Sequence, residues 1–132
     1  MKALSAKITK YLPVGATLEC VDNTGAKKLQ IITIYGYKGK RRTKPHGGVG
    51  NLVMCRVKVG DEKMRHQKVR AVIIRQRKEY RRAEGVYICF EDNAAVSVNE
   101  KGEPLGKLIK GPVAREAVER FPLVGKIANI VV

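Results

Sequence analysis

Short β-forming runs separated by closely spaced turn signals are the feature that most limits how this chain can fold. In two of the runs apolar and polar residues alternate, a period of two that places one face inward. The runs are Ala16–Cys20 and Val53–Val59, which alternate, and Leu29–Tyr35, Val69–Ile74 and Val86–Phe90, which are rich in β-branched residues. This spacing predicts a mainly β protein, a small sandwich or barrel, and closure into a barrel would remove exposed strand edges.

One segment near the C-terminus has a helical period instead. Its apolar positions are Val113, Ala114, Ala117, Val118 and Phe121. Pro112 fits the first helical position, and Pro122 follows the last apolar position. The pattern therefore predicts a single short helix near residues 113–121.

Length and composition favour one folded unit. With 132 residues, 44% of them apolar, we expect a single domain over residues 1–132 with its own core. The chain has no apolar stretch of the ~18 residues that a membrane span needs, and its N-terminus lacks the apolar run of a secretory signal, so we expect a cytoplasmic protein without a membrane partner. Cys20, Cys55 and Cys89 form no C-x-x-C pair, which favours reduced structural thiols over disulfides or a zinc site.

The charge of the chain is strongly asymmetric. Residues 1–82 contain 21 Lys or Arg and five Asp or Glu, a net +16, whereas residues 83–132 contain six and seven, a net −1. Such one-signed repulsion stabilises no fold by itself, and it is typical of a surface that meets a polyanion. Nucleic acid is the first partner that this pattern suggests.

The densest basic cluster lies within the chain rather than in a tail. Residues 38–50 are predicted to form a basic loop between two strands, in which glycines allow backbone N–H groups to approach a phosphate and arginines make bidentate contacts. A second basic cluster extends from Lys63 to Arg82, and about half of it is expected to be ordinary surface charge. The candidate RNA-binding residues are Lys38, Lys40, Arg41, Arg42, Lys44, His46, Arg75, Arg77, Lys78, Arg81 and Arg82. The alternative for the loop is a solvated, mobile segment without a partner.

Aromatic residues are scarce, with five Tyr, two Phe and no Trp. Proteins that bind free single strands usually stack bases on aromatic side chains, so this composition favours a folded RNA recognised through shape and phosphates. Tyr35 and Tyr37 lie beside the basic loop and could stack on bases, but packing in the core or at the rim is the stronger interpretation.

Catalytic signals are weak. The adjacent carboxylates Asp61-Glu62 and Glu91-Asp92 would point to opposite faces of an extended chain, and His46 and His66 lack a recognisable triad. Gly47-Gly48-Val49-Gly50 lacks the Lys-Ser/Thr of a nucleotide-binding loop. We therefore expect neither an enzyme nor a cofactor.

Four strings of residues together resemble one family. They are Asp22-Asn23-Thr24-Gly25-Ala26-Lys27, Ala71-Val72-Ile73-Ile74 with the basic residues that lead to Gly85, Phe90-Glu91-Asp92-Asn93-Ala94-Ala95-Val96, and Gly111-Pro112-Val113-Ala114-Arg115-Glu116. In this order they resemble the universal large-subunit ribosomal protein fourteen family from about residue 15 to the C-terminus. The segments 41–50 and 119–122 are more similar to its archaeal and eukaryotic branch than to its bacterial branch.

This resemblance implies a five-stranded β-barrel with a short C-terminal helical segment. It also implies binding to large-subunit ribosomal RNA, intersubunit bridges that reach small-subunit RNA, and a cytoplasmic location in the ribosome. The protein partners that it implies are ribosomal protein three, a twenty-four-e-type ribosomal protein and the anti-association initiation factor six. The near-neutral C-terminal part fits such partners, and Arg115, Glu116, Glu119 and Arg120 are its candidate protein contacts.

Two other functions remain as alternatives. A free-standing barrel could bind single-stranded RNA, in which case the protein would not sediment with ribosomal subunits. An RNA-processing enzyme would need a converging acid–base pair, which the sequence does not show.

Overall fold

A computed structural model describes residues 2–132, and β-strands form most of its regular structure. The strands are β1 (Leu12–Pro13), β2 (Thr17–Cys20), β3 (Ala26–Ile34), β4 (His46–Gly47), β5 (Leu52–Gly60), β6 (Lys68–Arg75), β7 (Tyr80–Arg81), β8 (Tyr87–Ile88), β9 (Ala94–Val98), β10 (Pro112–Val113) and β11 (Ile130–Val131). The helices are α1 (Arg115–Arg120) and α2 (Pro122–Ile127).

Five strands close into a barrel in the order β2-β3-β5-β6-β9. Neighbouring strands are antiparallel except at the seam, where β2 runs parallel to β9 and Glu19 lies opposite Ala94. Closure leaves every barrel strand with two neighbours, as the resemblance implied. The mainly β prediction and the five-stranded barrel are confirmed.

The apolar side chains form two clusters that share β6 and β9. Ala71, Ile73 and Ala95 face the barrel interior, whereas Val72 and Ile74 face outward, beneath the C-terminal segment. A strand that is buried on both faces needs apolar residues at successive positions, which explains the continuous apolar run in β6.

Three short strand pairs lie outside the barrel. β1 pairs with β4, β7 with β8, and β10 with β11. The run predicted as a strand at Val86–Phe90 is thus only half of a short hairpin. β9, in contrast, was not predicted from its residue pattern and completes the barrel.

The C-terminal helix prediction is confirmed in place but not in detail. The helix begins at Arg115, and Pro112 belongs to a strand instead of the first helical turn. Phe121 has non-helical backbone angles, φ −126° and ψ 79°, because a residue before proline avoids the helical region. Pro122 then begins a second helix, a position that suits its missing N–H group.

All three cysteines are free, and they lie in different surroundings. Burial raises the pKa of Cys20 to about 11 and that of Cys55 to about 12, which keeps both thiols protonated and unreactive near neutral pH. Cys89 is exposed, so the expectation of a structural thiol does not fit its position. Among residues 2–132 no group of three potential metal ligands comes together.

Neither of the two helices that the structure describes within residues 2–132 is long and apolar enough to cross a membrane.

Candidate nucleic-acid interface

The outer face of β5 and β6 carries cations that face each other directly. Along β5, Val53, Cys55 and Val57 point inward, so Arg56 points outward and is exposed. Its partner across the strand pair is Lys68, which is also exposed. Like charges directly opposite each other destabilise a sheet. Within the described residues 2–132 neither cation forms an ion pair with a carboxylate.

The neighbouring strand contributes little compensation to this pair. Gln30 of β3 lies opposite Arg56 on its other side. The nearest paired carboxylate on this side is that of the exposed Glu19 in β2, which lies opposite Lys28 of β3 rather than opposite Arg56. The uncompensated charge is therefore centred on β5 and β6.

Only the first part of the predicted basic loop projects into solvent. Residues 38–44 are exposed, Pro45 and His46 are half-buried, and residues 47–50 are buried. His46 and Gly47 form β4, so the prediction of a loop that extends to residue 50 is wrong for its second half. A Cβ atom on Gly48 would lie 2.8 Å from Ile8 Cγ2. Gly48 therefore allows close packing against the N-terminal segment, rather than approach of the backbone to a phosphate.

The exposed part of the basic loop folds around a tyrosine. The Tyr37 hydroxyl donates a hydrogen bond of 3.1 Å to the Lys44 carbonyl oxygen, and a Cβ atom on Gly39 would overlap the Tyr37 ring. His46 Nδ1 lies 2.8 Å from the same carbonyl oxygen. These contacts join the two ends of the exposed segment that carries Lys38, Lys40, Arg41, Arg42 and Lys44, and the interpretation of Tyr37 as a packing residue fits them.

Tyr35 connects this loop to the barrel surface. The Arg70 guanidinium carbon lies 5.8 Å from the centre of the Tyr35 ring, within the range of a cation–π contact. Arg70 also forms an ion pair of 3.3 Å with the exposed Glu100. The ring thus packs at the rim, and the basic loop lies next to the β5–β6 face.

Two predicted RNA ligands are instead internal. Arg75 is 5% exposed, and its Nε and Nη2 atoms each donate a hydrogen bond of 2.8 Å to the two oxygens of Asp92. Its Nη1 atom donates to the carbonyl oxygens of Lys110 and Pro112. Because every nitrogen of this guanidinium is engaged inside the protein, Arg75 is not a phosphate ligand.

Arg82 and Glu116 form a second buried pair. Arg82 Nε donates to Glu116 Oε1 at 2.7 Å, and the Tyr80 hydroxyl donates to Oε2 at 2.8 Å. Burial opposes ionisation of Glu116, but the hydrogen bonds from Arg82 and Tyr80 outweigh it and hold the Glu116 pKa below its ordinary value. Arg82 is 7% exposed and Glu116 is 3% exposed. The predictions of an RNA contact for Arg82 and of a protein contact for Glu116 are therefore corrected to an internal role.

The other candidate residues lie at or near the surface. Arg77, Lys78 and Arg81 are exposed. Arg77 Nε donates to the Glu91 carbonyl oxygen, and Lys78 pairs with its neighbour Glu79, so Arg81 is the least engaged of the three.

The remaining candidate protein contacts differ in exposure. Arg115 is exposed and lies 3.6 Å from Glu84, whereas Glu119 and Arg120 are half-buried. The structure leaves the RNA and protein contacts of these surface residues as predictions.

Sequence reasoning missed Arg56 and Lys58 as candidate ligands, although the signal was present. The alternation in β5 already places both side chains outward, beside a strand that begins with Lys68. What the pattern cannot provide is the register that sets Arg56 opposite Lys68.

Several residues in the four strings that resemble the family maintain the fold rather than bind a partner. Asp22 accepts hydrogen bonds from the Thr24 backbone N–H at 3.1 Å and the Ser97 backbone N–H at 2.8 Å. Asn93 accepts from the Arg77 backbone N–H at 2.9 Å. These turn residues connect strand ends that are far apart in sequence.

The fold and this surface define a small closed β-barrel with one strongly cationic side, the class of protein that suits a polyanion partner. The family model described as ribosomal protein L14p/L23e matches residues 11–132. The chain is 53% identical over 131 residues to a large ribosomal subunit protein uL14 from Methanococcus maripaludis, with 99% of each chain covered. It is 50% identical to the protein of that name from Methanoregula boonei and 47% identical to that from Methanocorpusculum labreanum, each over 132 residues and the full length of both chains.

The chain belongs to the ribosomal protein L14p/L23e family. It is therefore a structural protein of the ribosome, located in the cytoplasm with that particle, and not an enzyme. This confirms the resemblance drawn from the four strings of residues and removes the RNA-processing enzyme as an alternative.

Proposed function

We propose that this protein, a constituent of the large ribosomal subunit, binds large-subunit ribosomal RNA through two adjoining surfaces. One is the exposed part of the basic loop, residues 38–44, and the other is the cationic outer face of β5 and β6. The juxtaposition of Arg56 and Lys68 carries this proposal. Two cations that repel each other across a strand pair are stabilised when a phosphate lies between them.

A salt titration tests the proposal directly. Binding of the purified protein to deproteinised large-subunit RNA is measured over a range of salt concentrations, for the wild type and for a double variant, Arg56→Gln with Lys68→Gln. The slope of log affinity against log salt should become shallower by about 0.7 to 0.9 for each phosphate that the variant no longer neutralises. The matched control, Lys101→Gln with Lys126→Gln, removes the same charge from exposed positions of the neutral part. An unchanged slope for the first pair would reject the proposed surface.

The alternative of a free-standing binder of single-stranded RNA is less well supported by the geometry. Such proteins stack bases on exposed aromatic rings. Beside the basic loop, Tyr35 lies under Arg70 and Tyr37 is hydrogen-bonded to the loop backbone, and the exposed Tyr87 lies outside both proposed surfaces. Sedimentation of the chain apart from ribosomal subunits at moderate salt would favour this alternative.

Contribution to intersubunit bridges is the finer part of the proposal. The exposed residues 38–44 carry five cations, enough for the loop to bind large-subunit RNA and also to contact small-subunit RNA. Large subunits carrying Lys40→Gln, Arg41→Gln and Arg42→Gln should reassociate with small subunits more slowly than wild-type subunits, as measured by light scattering. If variant and wild-type subunits reassociated at the same rate, the loop would not contribute to an intersubunit bridge.

We also infer that residues 83–132 meet neighbouring proteins. This part is near-neutral in charge and exposes Val86, Tyr87, Ile130 and Val131, whose exposed fractions are 51%, 65%, 57% and 47%. Arg115 and Glu119 lie on α1 in the same part of the chain. Ribosomal protein three, a twenty-four-e-type protein and initiation factor six are the candidate partners. Crosslinking and mass spectrometry of assembled subunits should find protein crosslinks concentrated here, and their absence would reject the assignment.

A further inference from the structure

The N-terminal segment, residues 2–11, is a basic stretch that lies against the folded protein. Its charged residues are Lys2, Lys7 and Lys10, and the first acidic residue of the chain is Glu19. The candidate interface described above does not use any of these lysines.

Hydrogen bonds fix this segment along its length. The Lys7 backbone N–H donates to the Arg81 carbonyl oxygen at 3.0 Å, and the Tyr11 backbone N–H donates to the Gly47 carbonyl oxygen at 3.1 Å. Between them, the buried Gln76 side chain donates to the Thr9 carbonyl oxygen at 3.0 Å. The part from Lys7 to Tyr11 is thus fixed against the rest of the protein.

Lys7 and Arg81 face each other across an antiparallel bridge. Both line a groove together with Ser5, and both residues are exposed. Residues directly opposite in such a bridge project to the same side, so two like charges are placed together. In residues 2–132 no carboxylate forms an ion pair with either one.

Lys10 and Arg120 line a second groove, on the other side of the segment. Leu4, Ala6 and Ile8 form the apolar part of this groove. The Arg120 guanidinium is half-buried and donates to the carbonyl oxygens of Lys2 and Gly50. Burial lowers its pKa, as expected for a charge that carbonyl dipoles partly solvate but that no carboxylate in the described chain neutralises.

We propose that the N-terminal segment is a second phosphate-binding element, in which Lys7 with Arg81 and Lys10 with Arg120 each bind a phosphate of ribosomal RNA. Lys7 lines one groove and Lys10 lines the other. Three residues of extended chain span about 10 Å, so both pairs can contact one RNA segment. Phosphate, rather than an acidic protein, fits best because none of the four cations forms an ion pair in the described residues 2–132, and a phosphate can accept hydrogen bonds from two cations at once. This inference rests on the proposed RNA-binding function.

Chemical footprinting and a salt titration together test the proposal. The purified full chain is treated with an amine-acetylating reagent, alone and with deproteinised large-subunit RNA, and modified lysines are quantified by mass spectrometry. Lys7 and Lys10 should be protected several-fold by the RNA, whereas Lys101 and Lys126 should react equally in both samples. The double variant Lys7→Gln with Lys10→Gln should lower the salt slope by about 1.4 to 1.8, the value for two phosphates.

The Arg56→Gln with Lys68→Gln variant separates the two proposals. If this variant lowers the salt slope but the Lys7 and Lys10 variant does not, the N-terminal proposal is overturned and the RNA-binding function stands. If neither lowers the slope, both fail. Protection of Lys7 and Lys10 only in assembled subunits, and not by RNA alone, would assign the segment to a protein neighbour and also overturn the proposal. Unfolding curves of the variants should match that of the wild type, since both lysines are exposed.

Discussion

Single side chains connect distant parts of this protein. The Arg75 guanidinium, at the end of β6, binds the Asp92 carboxylate and the carbonyl oxygens of Lys110 and Pro112. The residue between those two carbonyls, Gly111, has φ +82°, and a Cβ atom there would lie 2.7 Å from Arg75 Nη1. One arginine therefore determines the residue type at a position far along the chain.

Gly111→Ala should destabilise the protein more than the same change at Gly15. Both glycines have positive φ, +82° and +92°, but a Cβ atom on Gly15 meets nothing within 4 Å. Gly15→Ala thus measures the left-handed backbone strain alone, about 1–2 kcal/mol, and Gly111→Ala adds displacement of Arg75. Urea unfolding provides both free energies. Equal losses would show that Arg75 moves aside at no cost.

The buried Arg82–Glu116 pair should make stability depend on pH. Because the folded-state pKa of Glu116 is below its ordinary value of 4.5, its contribution is complete above about pH 4.5 and is lost as pH falls through the folded-state pKa. Glu116→Gln leaves Arg82 without its carboxylate and should cost about 3–5 kcal/mol at pH 7. The variant should lose less stability than the wild type on acidification.

Glu119→Gln is the matched control for this prediction. Glu119 lies on the same helix, is half-buried and forms no ion pair in the described residues 2–132. Chemical unfolding from pH 7 to pH 3 compares the three proteins. A Glu116→Gln variant with the stability and pH dependence of the Glu119→Gln variant would contradict the internal role of Glu116.

At the residue scale, the sequence alone could not predict that two of the arginines are internal. Arg75 and Arg82 belong to a basic cluster, and their carboxylate partners lie 17 and 34 residues further along the chain. A buried ion pair between distant residues leaves no periodic pattern, so both arginines look like their exposed neighbours Arg77 and Arg81. Exposed cations in the basic loop, in contrast, follow from local composition.

At the scale of elements, β5 offers a direct comparison of two valines. Val57 is fully buried in the barrel, whereas Val59 is 40% exposed, although the alternating sequence predicts that both point inward. Val57→Ala should cost about 2 kcal/mol through the reduced burial and the cavity that remains, and Val59→Ala should cost under about 0.5 kcal/mol. Thermal or urea unfolding of the two variants checks this difference. Similar losses would mean that the strand continues its inward alternation in solution.

Irregular pairing explains why the alternation fails at Val59. The register between β3 and β5 shifts near Ala26 and Lys28, where Lys28 lies opposite Val59. The strands β3 and β6 were predictable because they are rich in β-branched residues, and β5 because its apolar and polar residues alternate. β9 was not, since its run of Ala94 to Val98 is buried on both faces and has no alternation to read.

At the scale of the whole molecule, the two apolar clusters should unfold together. They lie on opposite faces of β6 and β9, so neither can lose its packing while the other keeps both strands in place. We expect one cooperative transition, with calorimetric and van't Hoff enthalpies that agree. A separate early transition of the C-terminal segment would contradict the prediction of a single domain over residues 1–132.

The parallel seam between β2 and β9 has a consequence for how the chain is made. Glu19 pairs with Ala94. The ribosome therefore synthesises the whole basic part of the chain, residues 1–82, before it synthesises β9, the strand that closes the barrel. Until then β2 and β6 have open edges, close to the ribosome that is synthesising them and its negatively charged RNA. A fragment ending at residue 93 should therefore be digested by protease far faster than the complete polypeptide.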